Sequence, residues 1–306
     1  MEKKLPMLAK LADKPFDSDE WLFEIKWDGY RALAYKERSV RLLSRNQKSF
    51  NERYPQIVGE LKKLPGRFAL DGEIVLLDEK GRPNFQLLQN YQKVQEGALC
   101  YYIFDILSLD GKDVHLLPLV ERKKLLKKLL PKKLKHVKFS EHILGAGKAF
   151  FREIKKLGLE GMMAKRLESS YQFRRSPDWL KVKTKMRQEV VIGGFTEPRG
   201  GRKHFGALLV GVYDKKKLVY AGHVGGGFDE RLLEDIYRQL LKQKTSQCPF
   251  SKEPKPNMEV HWVKPTLVCE VAFAEWTKEG IMRQPIFKGM RDDKPAKQVF
   301  YERLAD

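Results

Sequence analysis

The stretch WLFEIKWDGYR, residues 21–31, joins an alternating apolar pattern to a turn. Apolar side chains occupy every second position from Trp21 to Ile25, and this period of two predicts a half-buried β-strand. The dipeptide Asp28-Gly29 is typical of a turn and indicates that the strand ends close to Lys26. A lysine at the end of a rigid strand can project its amine into a cleft.

Lys26 is therefore a candidate for covalent chemistry. A lysine attacks as the neutral amine, so its pKa must fall by about three units from ~10.4, which corresponds to ~4 kcal/mol. Burial and neighbouring cations can lower a lysine pKa in this way. The K-x-D-G pattern alone is a weak signal that fits a surface turn equally well.

Four later segments favour the chemical interpretation because of their order and spacing after Lys26. Each segment alone also has a purely structural interpretation: an exposed acid, a core aromatic, a charge at a helix end or a solvated sheet face. In the fourth segment, residues 179–183, the alternation puts Lys181 and Lys183 on one strand face. The segments are LDGE at 70–73, YIFD at 102–105, EGMMAK at 160–165 and WLKVK at 179–183.

The ordered set of motifs resembles the covalent nucleotidyltransferase superfamily, which comprises DNA ligases, RNA ligases and mRNA capping enzymes. The fuller context is more specifically similar to the ATP-dependent ligase module of bacterial ligase D, an end-joining enzyme. This similarity extends from about residue 5 to 300, and residues 24–31, 43–46, 171–183 and 205–211 support it.

The resemblance implies catalytic and metal-binding roles. Lys26 would attack the α-phosphate of ATP and become lysyl-AMP, while Lys181 and Lys183 would stabilise the charge on that phosphate. Glu160 would position a divalent metal, Mg²⁺ or Mn²⁺, with Glu73 as a second ligand candidate. Oxygen ligands of this kind suit both ions.

The resemblance also implies contacts with the nucleotide. Glu24 would contact the adenine, and Phe104 would stack on it. Arg31 and Arg45 would bind ribose or phosphate oxygens, and Glu73 would bind the ribose or assist the metal. The segment RDDK at 291–294 resembles the family's last motif, R-x-D-K, so Arg291 and Lys294 would contact the β- and γ-phosphates. A charged surface turn is the alternative for this segment.

Charge points to a polyanionic partner. Sixty Lys and Arg against forty Asp and Glu give a net charge of +20, and nucleic acid is the usual partner for such an excess. The resemblance specifies double-stranded DNA with nicks or ends, and it adds bacterial Ku as a candidate partner. The basic loop at 198–203 fits either a DNA contact or a solvated loop.

A lysine-rich helical segment has two interpretations as well. A solvated helix face is favoured over a DNA-facing surface. Its basic residues are Lys123, Lys124, Lys127, Lys128, Lys132 and Lys133.

The element pattern predicts two domains. Mixed strand and helix signals predict an α+β domain over residues 1–187, and the resemblance implies that it is a nucleotidyltransferase (adenylation) domain with antiparallel sheets. Several short strands with one helix, from Asp229 to Leu241, predict an all-β OB-fold domain over residues 188–306. Asp229 is the expected N-cap of that helix, and residues 186–188 are the expected hinge.

Composition excludes several classes. No apolar run approaches the ~20 residues needed to cross a bilayer, and the start lacks the apolar stretch of a secretory signal. The three cysteines are far apart, so neither a disulfide framework nor a cysteine zinc site is expected. We expect a monomer in the bacterial cytoplasm, without a membrane partner and associated with the nucleoid when bound to DNA.

Four rival functions remain open from the sequence. An mRNA capping-type guanylyltransferase or an RNA ligase would use the same lysine chemistry. Incubation with labelled ATP or labelled GTP would distinguish a capping enzyme, which uses GTP, from a DNA ligase. An NAD-dependent ligase would normally add modules that are not visible here. A non-enzymatic OB-fold DNA-binding protein explains the charge but not the motifs, and its activity would survive Lys26→Ala.

Overall fold

The computed structural model describes residues 6–94, 96–131, 133–254, 257–277 and 279–301. They form two compact units, which we call unit 1 (residues 6–184) and unit 2 (residues 185–301). Lys132, which belongs to the lysine-rich segment, lies outside the described residues. Among the helices that are described, none is long and apolar enough to cross a bilayer.

Unit 1 contains eleven strands and four helices in its described part. The strands are β1 (Leu8–Leu11), β2 (Ser18–Ile25), β3 (Tyr30–Lys36), β4 (Val40–Ser44), β5 (Phe68–Leu77), β6 (Ala98–Leu109), β7 (Lys112–Asp113), β8 (Val137–Phe139), β9 (His142–Gly145), β10 (Gly161–Arg166) and β11 (Arg175–Lys183). The helices are α1 (Pro55–Lys63), α2 (Phe85–Val94), α3 (Leu119–Leu129) and α4 (Gly147–Lys156).

These strands form two mainly antiparallel sheets. The first has the order β1-β11-β10-β2-β9, and the second has the order β4-β3-β5-β6-β7 with β8 on β6. Only the β1–β11 and β6–β8 pairs are parallel among the described strands. Leu33 and Phe104 of the second sheet share an apolar cluster with Trp179 of the first. The two sheets therefore pack against each other through these inner faces.

Helices cover the outer faces of both sheets. Ile154 of α4 packs on the first sheet with Phe23 and Val182. Ile57 of α1 and Leu126 of α3 belong to the large cluster on the second sheet. The charged side chains of the alternating strands consequently point inward, between the sheets.

Unit 2 is a β-structure with one long helix. Its elements are β12 (Met186–Thr196), β13 (Leu208–Asp214), β14 (Lys217–Val224), α5 (Glu230–Leu241), β15 (Lys244–Thr245), β16 (Val260–Val263), β17 (Val268–Phe273), β18 (Ile286–Met290) and a 3₁₀ turn (Ala296–Gln298). The seven described strands form one antiparallel sheet, in which β12 pairs with β13, β16 and β17. Bulges interrupt three of its pairings, and bulges bend a sheet.

The helix predicted in unit 2 is confirmed. It spans Glu230–Leu241, and the Asp229 carboxylate accepts a hydrogen bond from Leu232 N at 2.8 Å. Leu233, Ile236 and Leu240 face the core of the unit. The N-cap satisfies a backbone donor that would otherwise lack an intrahelical partner.

The two units divide between Thr184 and Lys185, three residues before the expected boundary at 187. Both residues form a bend that joins β11 to β12. The expected hinge residues lie inside β12, where Met186 and Arg187 pair with β17. This pairing argues against a hinge at 186–188, because paired strand residues resist changes in φ and ψ.

Candidate active site

Lys26 directly follows β2 and contacts a buried carboxylate. Its Nζ lies 2.5 Å from Glu160 Oε1, and the two side chains are 21% and 3% exposed. Its backbone N–H donates to Gly161 O at 2.9 Å. Because β2 and β10 are antiparallel neighbours, the end of one strand adjoins the start of the other. The amine thus has a fixed position and keeps access to solvent.

Two motif glycines let backbones approach closely at this point. A Cβ on Gly29 would lie 2.0 Å from Ile74 O, and a Cβ on Gly161 would lie 2.2 Å from Val182 O. Gly29 does not adopt the left-handed conformation that favours glycine in turns. The glycine of K-x-D-G is therefore required by strand packing and not by turn geometry.

Glu24 is buried beneath two lysines. Lys165 Nζ donates to its Oε2 at 2.9 Å, and Lys123 Nζ forms an ion pair with Oε1. Lys123 also donates to Ser140 O at 3.3 Å. Both oxygens of the carboxylate are held, so its plane is fixed. We call Glu24, Lys123 and Lys165 the buried triad.

Burial and the charges within the triad shift the pKa values of Glu24 and Lys165. Burial alone would raise the pKa of Glu24, but Lys123 and Lys165 together lower it below its usual value. Burial lowers the pKa of Lys165 to about 8, although Glu24 acts in the opposite direction. Glu24 is consequently a carboxylate at neutral pH, able to accept hydrogen bonds and unable to donate one.

An aromatic pair lies beside the triad. Lys165 Nζ is 4.2 Å from the ring centroids of both Phe104 and Trp179. The two rings meet edge to face with centroids 6.0 Å apart. Phe104 is only 8% exposed. Its role in purine stacking stays a prediction.

Arg31 is held by an acid from the neighbouring strand. Its Nε and Nη2 donate to the two oxygens of Asp71 at 2.5 Å each, and Nη2 also reaches Met7 O at 3.1 Å. Tyr171 donates its hydroxyl to Asp71 at 2.6 Å. The Asp71 carboxylate outweighs burial and raises the pKa of Arg31, which stays charged. The Arg31 guanidinium lies 4.7 Å from the Phe104 ring centroid.

The other unit 1 candidates lie on neighbouring elements. Glu73 is half-buried on β5, opposite Arg31 on β3. Arg45 is half-buried in the turn after β4. Lys181 and Lys183 are half-buried on β11, opposite Met163 and Gly161 of β10.

Arg291 and Lys294 lie in unit 2. Arg291 Nε and Nη2 donate to the two oxygens of Asp293 at 2.9 Å each. Glu189 of β12 forms an ion pair with Lys294 and lies 3.8 Å from Arg291. The segment therefore belongs to a network of ion pairs and hydrogen bonds, which an ordinary surface turn would lack. Its part in catalysis stays a prediction.

Sequence reasoning missed the role of Lys123. A solvated face was favoured for its lysine-rich segment, but Lys123 is 4% exposed and contacts Glu24. Neighbouring Lys124 is 68% exposed and fits the solvated face. Helical spacing contained the signal, because Lys123 shares the inner face of α3 with Leu119 and Leu126. Lys165 is the last residue of the EGMMAK motif, whose pattern gave no indication of a role for it.

The described residues contain no group of three or more His, Cys, Asp and Glu side chains able to hold a metal ion. A protein cage for a metal is therefore not available among them. Mg²⁺ is commonly bound by one or two carboxylates together with substrate phosphates. Glu160, which reaches the amine of Lys26, fits that second arrangement.

A strand-end lysine against a buried carboxylate, between two antiparallel sheets and followed by a small β-unit, defines a covalent nucleotidyltransferase. Family models agree on a more specific class. The ATP dependent DNA ligase domain matches residues 6–183, and the ATP dependent DNA ligase C terminal region matches residues 201–294. The chain belongs to the ATP-dependent DNA ligase family.

Relatives of known name agree with this family. The chain is 41% identical to the multifunctional non-homologous end joining protein LigD of Pseudomonas aeruginosa, over 98% of this chain and 37% of that protein. It is 38% identical to LigD of Mycobacterium tuberculosis, over 93% of this chain and 38% of that protein. The chain thus spans less than two fifths of the length of these curated relatives.

Solved structures support the fold. A mycobacterial DNA ligase D complexed with ATP and MES matches with a TM-score of 0.72 and 36% identity, over 99% of this chain and 100% of that one. The ligase domain of M. tuberculosis LigD matches with a TM-score of 0.55 and 35% identity, over the same shares. The predicted nucleotidyltransferase domain followed by an OB-fold is confirmed.

Proposed function

We propose that this chain seals breaks in double-stranded DNA during end joining, through a covalent lysyl-AMP intermediate on Lys26. The observation that carries the proposal is the placement of the Lys26 amine, 2.5 Å from Glu160 and partly open to solvent. The similarity to ligases that act on DNA favours this function over capping of mRNA or joining of RNA.

The first step forms a P–N bond. Lys26 Nζ attacks the α-phosphorus of ATP, the bond from that phosphorus to the bridging oxygen breaks, and pyrophosphate leaves. The attacking nitrogen must lose a proton. Glu160 Oε1 is the carboxylate oxygen in contact with Nζ and can hold that proton.

Charge neutralisation and positioning account for the other residues. Transfer of this kind depends more on these two effects than on elaborate acid-base chemistry. Lys181 and Lys183 neutralise the α-phosphate from one face of β11. Arg31, fixed by Asp71, and Arg45 bind ribose or phosphate oxygens, and Glu73 binds the ribose or assists the metal. Glu24 accepts from the adenine amine, and Phe104 stacks on the base.

Mg²⁺ or Mn²⁺, when bound, would neutralise charge on the phosphate oxygens. Glu160 and Glu73 are the residues that would hold it, together with the nucleotide phosphates.

Arg291 and Lys294 act during the first step only. They contact the β- and γ-phosphates and orient pyrophosphate as the leaving group. Their mutual partner Glu189 holds both side chains in place before the nucleotide arrives.

The later steps take place on DNA. AMP passes from Lys26 to the 5′-phosphate at a nick or end, and the P–N bond is replaced by a phosphoanhydride. The adjacent 3′-hydroxyl then attacks the 5′-phosphate and displaces AMP. The net charge of +20 supplies affinity for the backbone without reading sequence. The name of the P. aeruginosa relative, a multifunctional non-homologous end joining protein, supports a role in end joining. Our proposal adds the bacterial cytoplasm as the location and Ku as the partner.

A sealing assay tests this function. The purified chain, ATP and Mg²⁺ are incubated with a labelled nicked DNA duplex, a matched nicked RNA duplex and GTP in place of ATP. We expect sealing of DNA with ATP, and a steep decrease as salt rises from 50 to ~200 mM. Efficient sealing of the RNA alone, or of DNA with GTP alone, would contradict the proposal.

A further inference from the structure

Two buried lysines share one carboxylate beside the candidate nucleotide site. A structural ion pair needs a single cation, and the second one adds a desolvation cost that pairing must offset. Lys123 comes from α3, whereas Glu24 and Lys165 come from adjacent strands β2 and β10. The Lys123 side chain therefore reaches the Glu24 carboxylate from a helix and not from the two strands that carry the other members of the triad.

The Lys123 ammonium is held on several sides. It contacts Glu24 Oε1, donates to Ser140 O at 3.3 Å and lies 4.9 Å from the Phe139 ring centroid. Ser140 Oγ also accepts from the indole of Trp27 at 3.1 Å. Trp27 directly follows Lys26. Lys123 thus contacts Glu24 directly and Trp27 through Ser140, and these two residues lie on either side of Lys26 in the sequence.

We propose that Lys123 is a positioning residue that orients Glu24 for the purine and so determines which nucleotide the enzyme accepts. The inference rests on the proposed function, since it assumes that Glu24 faces the base. A carboxylate fixed at both oxygens accepts from the exocyclic amine of adenine. It repels the carbonyl oxygen that guanine carries at the same position, because neither group can donate.

Removal of Lys123 would free one oxygen of Glu24. The carboxylate could then rotate about its bond to Lys165, and its hydrogen bond to the adenine amine would be less well aligned. A hydrogen bond to a charged group is stronger than one between neutral groups, so a partial loss of this one predicts that ATP binds about tenfold more weakly. The chemistry at Lys26 would continue, because Lys123 touches neither the amine nor the phosphate.

The test measures lysyl-nucleotide formation with ATP and with GTP. For Lys123→Met we expect the KM for ATP to rise about tenfold and the ATP-to-GTP preference to fall by a similar factor, in line with one lost charged hydrogen bond. Sealing of nicked DNA by enzyme already carrying AMP should stay close to wild type. Lys123→Arg keeps a cation against Glu24 and should restore most of the preference.

Lys124→Met is the matched control. Lys124 adjoins Lys123 on α3, is solvent-exposed and pairs with Glu121 at the surface, so its KM and preference should not change. Lys123→Gln, which keeps a hydrogen-bond donor without the charge, replaces Lys123→Met if circular dichroism shows the latter to be unfolded.

Two results would overturn the inference: an unchanged ATP-to-GTP preference in a folded Lys123 variant, or a fall in rate with neither KM nor preference altered. The second result would mean that Lys123 has a structural role only. Failure of the proposed function is distinguishable in the wild-type enzyme, which would then form no lysyl-AMP or would not seal nicked DNA with ATP.

Discussion

Unit 1 and unit 2 bury charge in different ways. Among the described residues, seven charged side chains are buried in unit 1, and two, Glu270 and Asp293, are buried in unit 2. Those of unit 1 are Glu24, Asp71, Asp105, Arg122, Lys123, Glu160 and Lys165. Buried charges are costly unless they are paired, so a core arranged for stability alone would avoid them. Unit 1 therefore holds most of the buried charge, which includes the candidate site residues Glu24 and Glu160, whereas the core of unit 2 is mainly apolar.

The two most deeply buried partners in unit 1 provide the largest expected effect. Arg122 and Asp105 are both fully buried and make two hydrogen bonds, at 2.7 and 3.0 Å. Arg122→Met removes the guanidinium partner of buried Asp105, so we expect a loss of ~3–5 kcal/mol in the free energy of unfolding. Urea unfolding followed by tryptophan fluorescence measures it.

An exposed pair in unit 2 is the control for this variant. Arg238 and Glu234 form a surface pair on α5, and Arg238→Ala should cost ~0.5 kcal/mol or less. Equal costs for the two substitutions would show that buried charge is not special to unit 1.

The charge network of unit 2 should give a smaller cost in stability. Arg291→Ala removes both hydrogen bonds to buried Asp293, and we expect a loss of ~2 kcal/mol. Lysyl-AMP formation should slow, whereas enzyme that already carries AMP should still seal nicks. Arg283→Ala, which breaks an exposed pair with Glu275, is the comparison. Equal slowing of both steps by Arg291→Ala would contradict a role limited to the first.

The buried triad predicts a pH dependence that is specific to unit 1. Burial lowers the pKa of Lys165 from 10.5 to about 8. Between pH 8 and 10.5, Lys165 is protonated in the unfolded chain but largely neutral in the folded one, so the free energy of unfolding rises with pH. Below about pH 8, Lys165 is protonated in both states, and the cost of burying its charge lowers the stability in full. Relative to Lys165→Met, wild type should gain on the order of 1 kcal/mol per pH unit there.

Urea unfolding of both proteins at pH 8 and pH 10 measures this difference. Groups common to the two proteins cancel, including the tyrosines that burial also affects. A difference that does not change with pH, or that falls as pH rises, would mean that Lys165 is not the titrating group.

The smallest effect concerns the N-cap of α5 in unit 2. Asp229→Ala removes the carboxylate that accepts from Leu232 N, and we expect a loss of ~1 kcal/mol. Thermal unfolding measures it, and lysyl-AMP formation at a temperature well below the transition should be unchanged. A strong loss of activity at full folding would contradict the view that this helix serves packing.

Local pattern was sufficient to predict several elements. The strand through Trp21 and Ile25 was predicted from its alternating apolar side chains and the turn at Asp28-Gly29, and β2 ends at Ile25, directly before Lys26. Helix α5 was predicted from its N-cap and apolar spacing. In contrast, α2 and the short strands β1, β8 and β9 were not predicted, since they depend on neighbours distant in sequence.

Contacts across the site were beyond sequence reasoning for a similar reason. The hydrogen bond between Glu24 and Lys165 joins residues 141 positions apart, and Arg31 and Asp71 are 40 apart. Sequence reasoning assigned a role to Glu24 and Arg31 but not to the partners that fix them. Lys123 was missed because a run of lysines suggests solvent, while its helical phase placed it inward.

Covalent modification of Lys26 tests the central claim most directly. The purified chain is incubated with ATP and Mg²⁺, digested and analysed by mass spectrometry, beside Lys26→Ala and Lys10→Ala as a variant of another unit 1 lysine. We predict one added AMP on the peptide that contains Lys26 in wild type and Lys10→Ala, and none in Lys26→Ala. AMP on another residue, or DNA sealing by Lys26→Ala at the wild-type rate, would contradict the account.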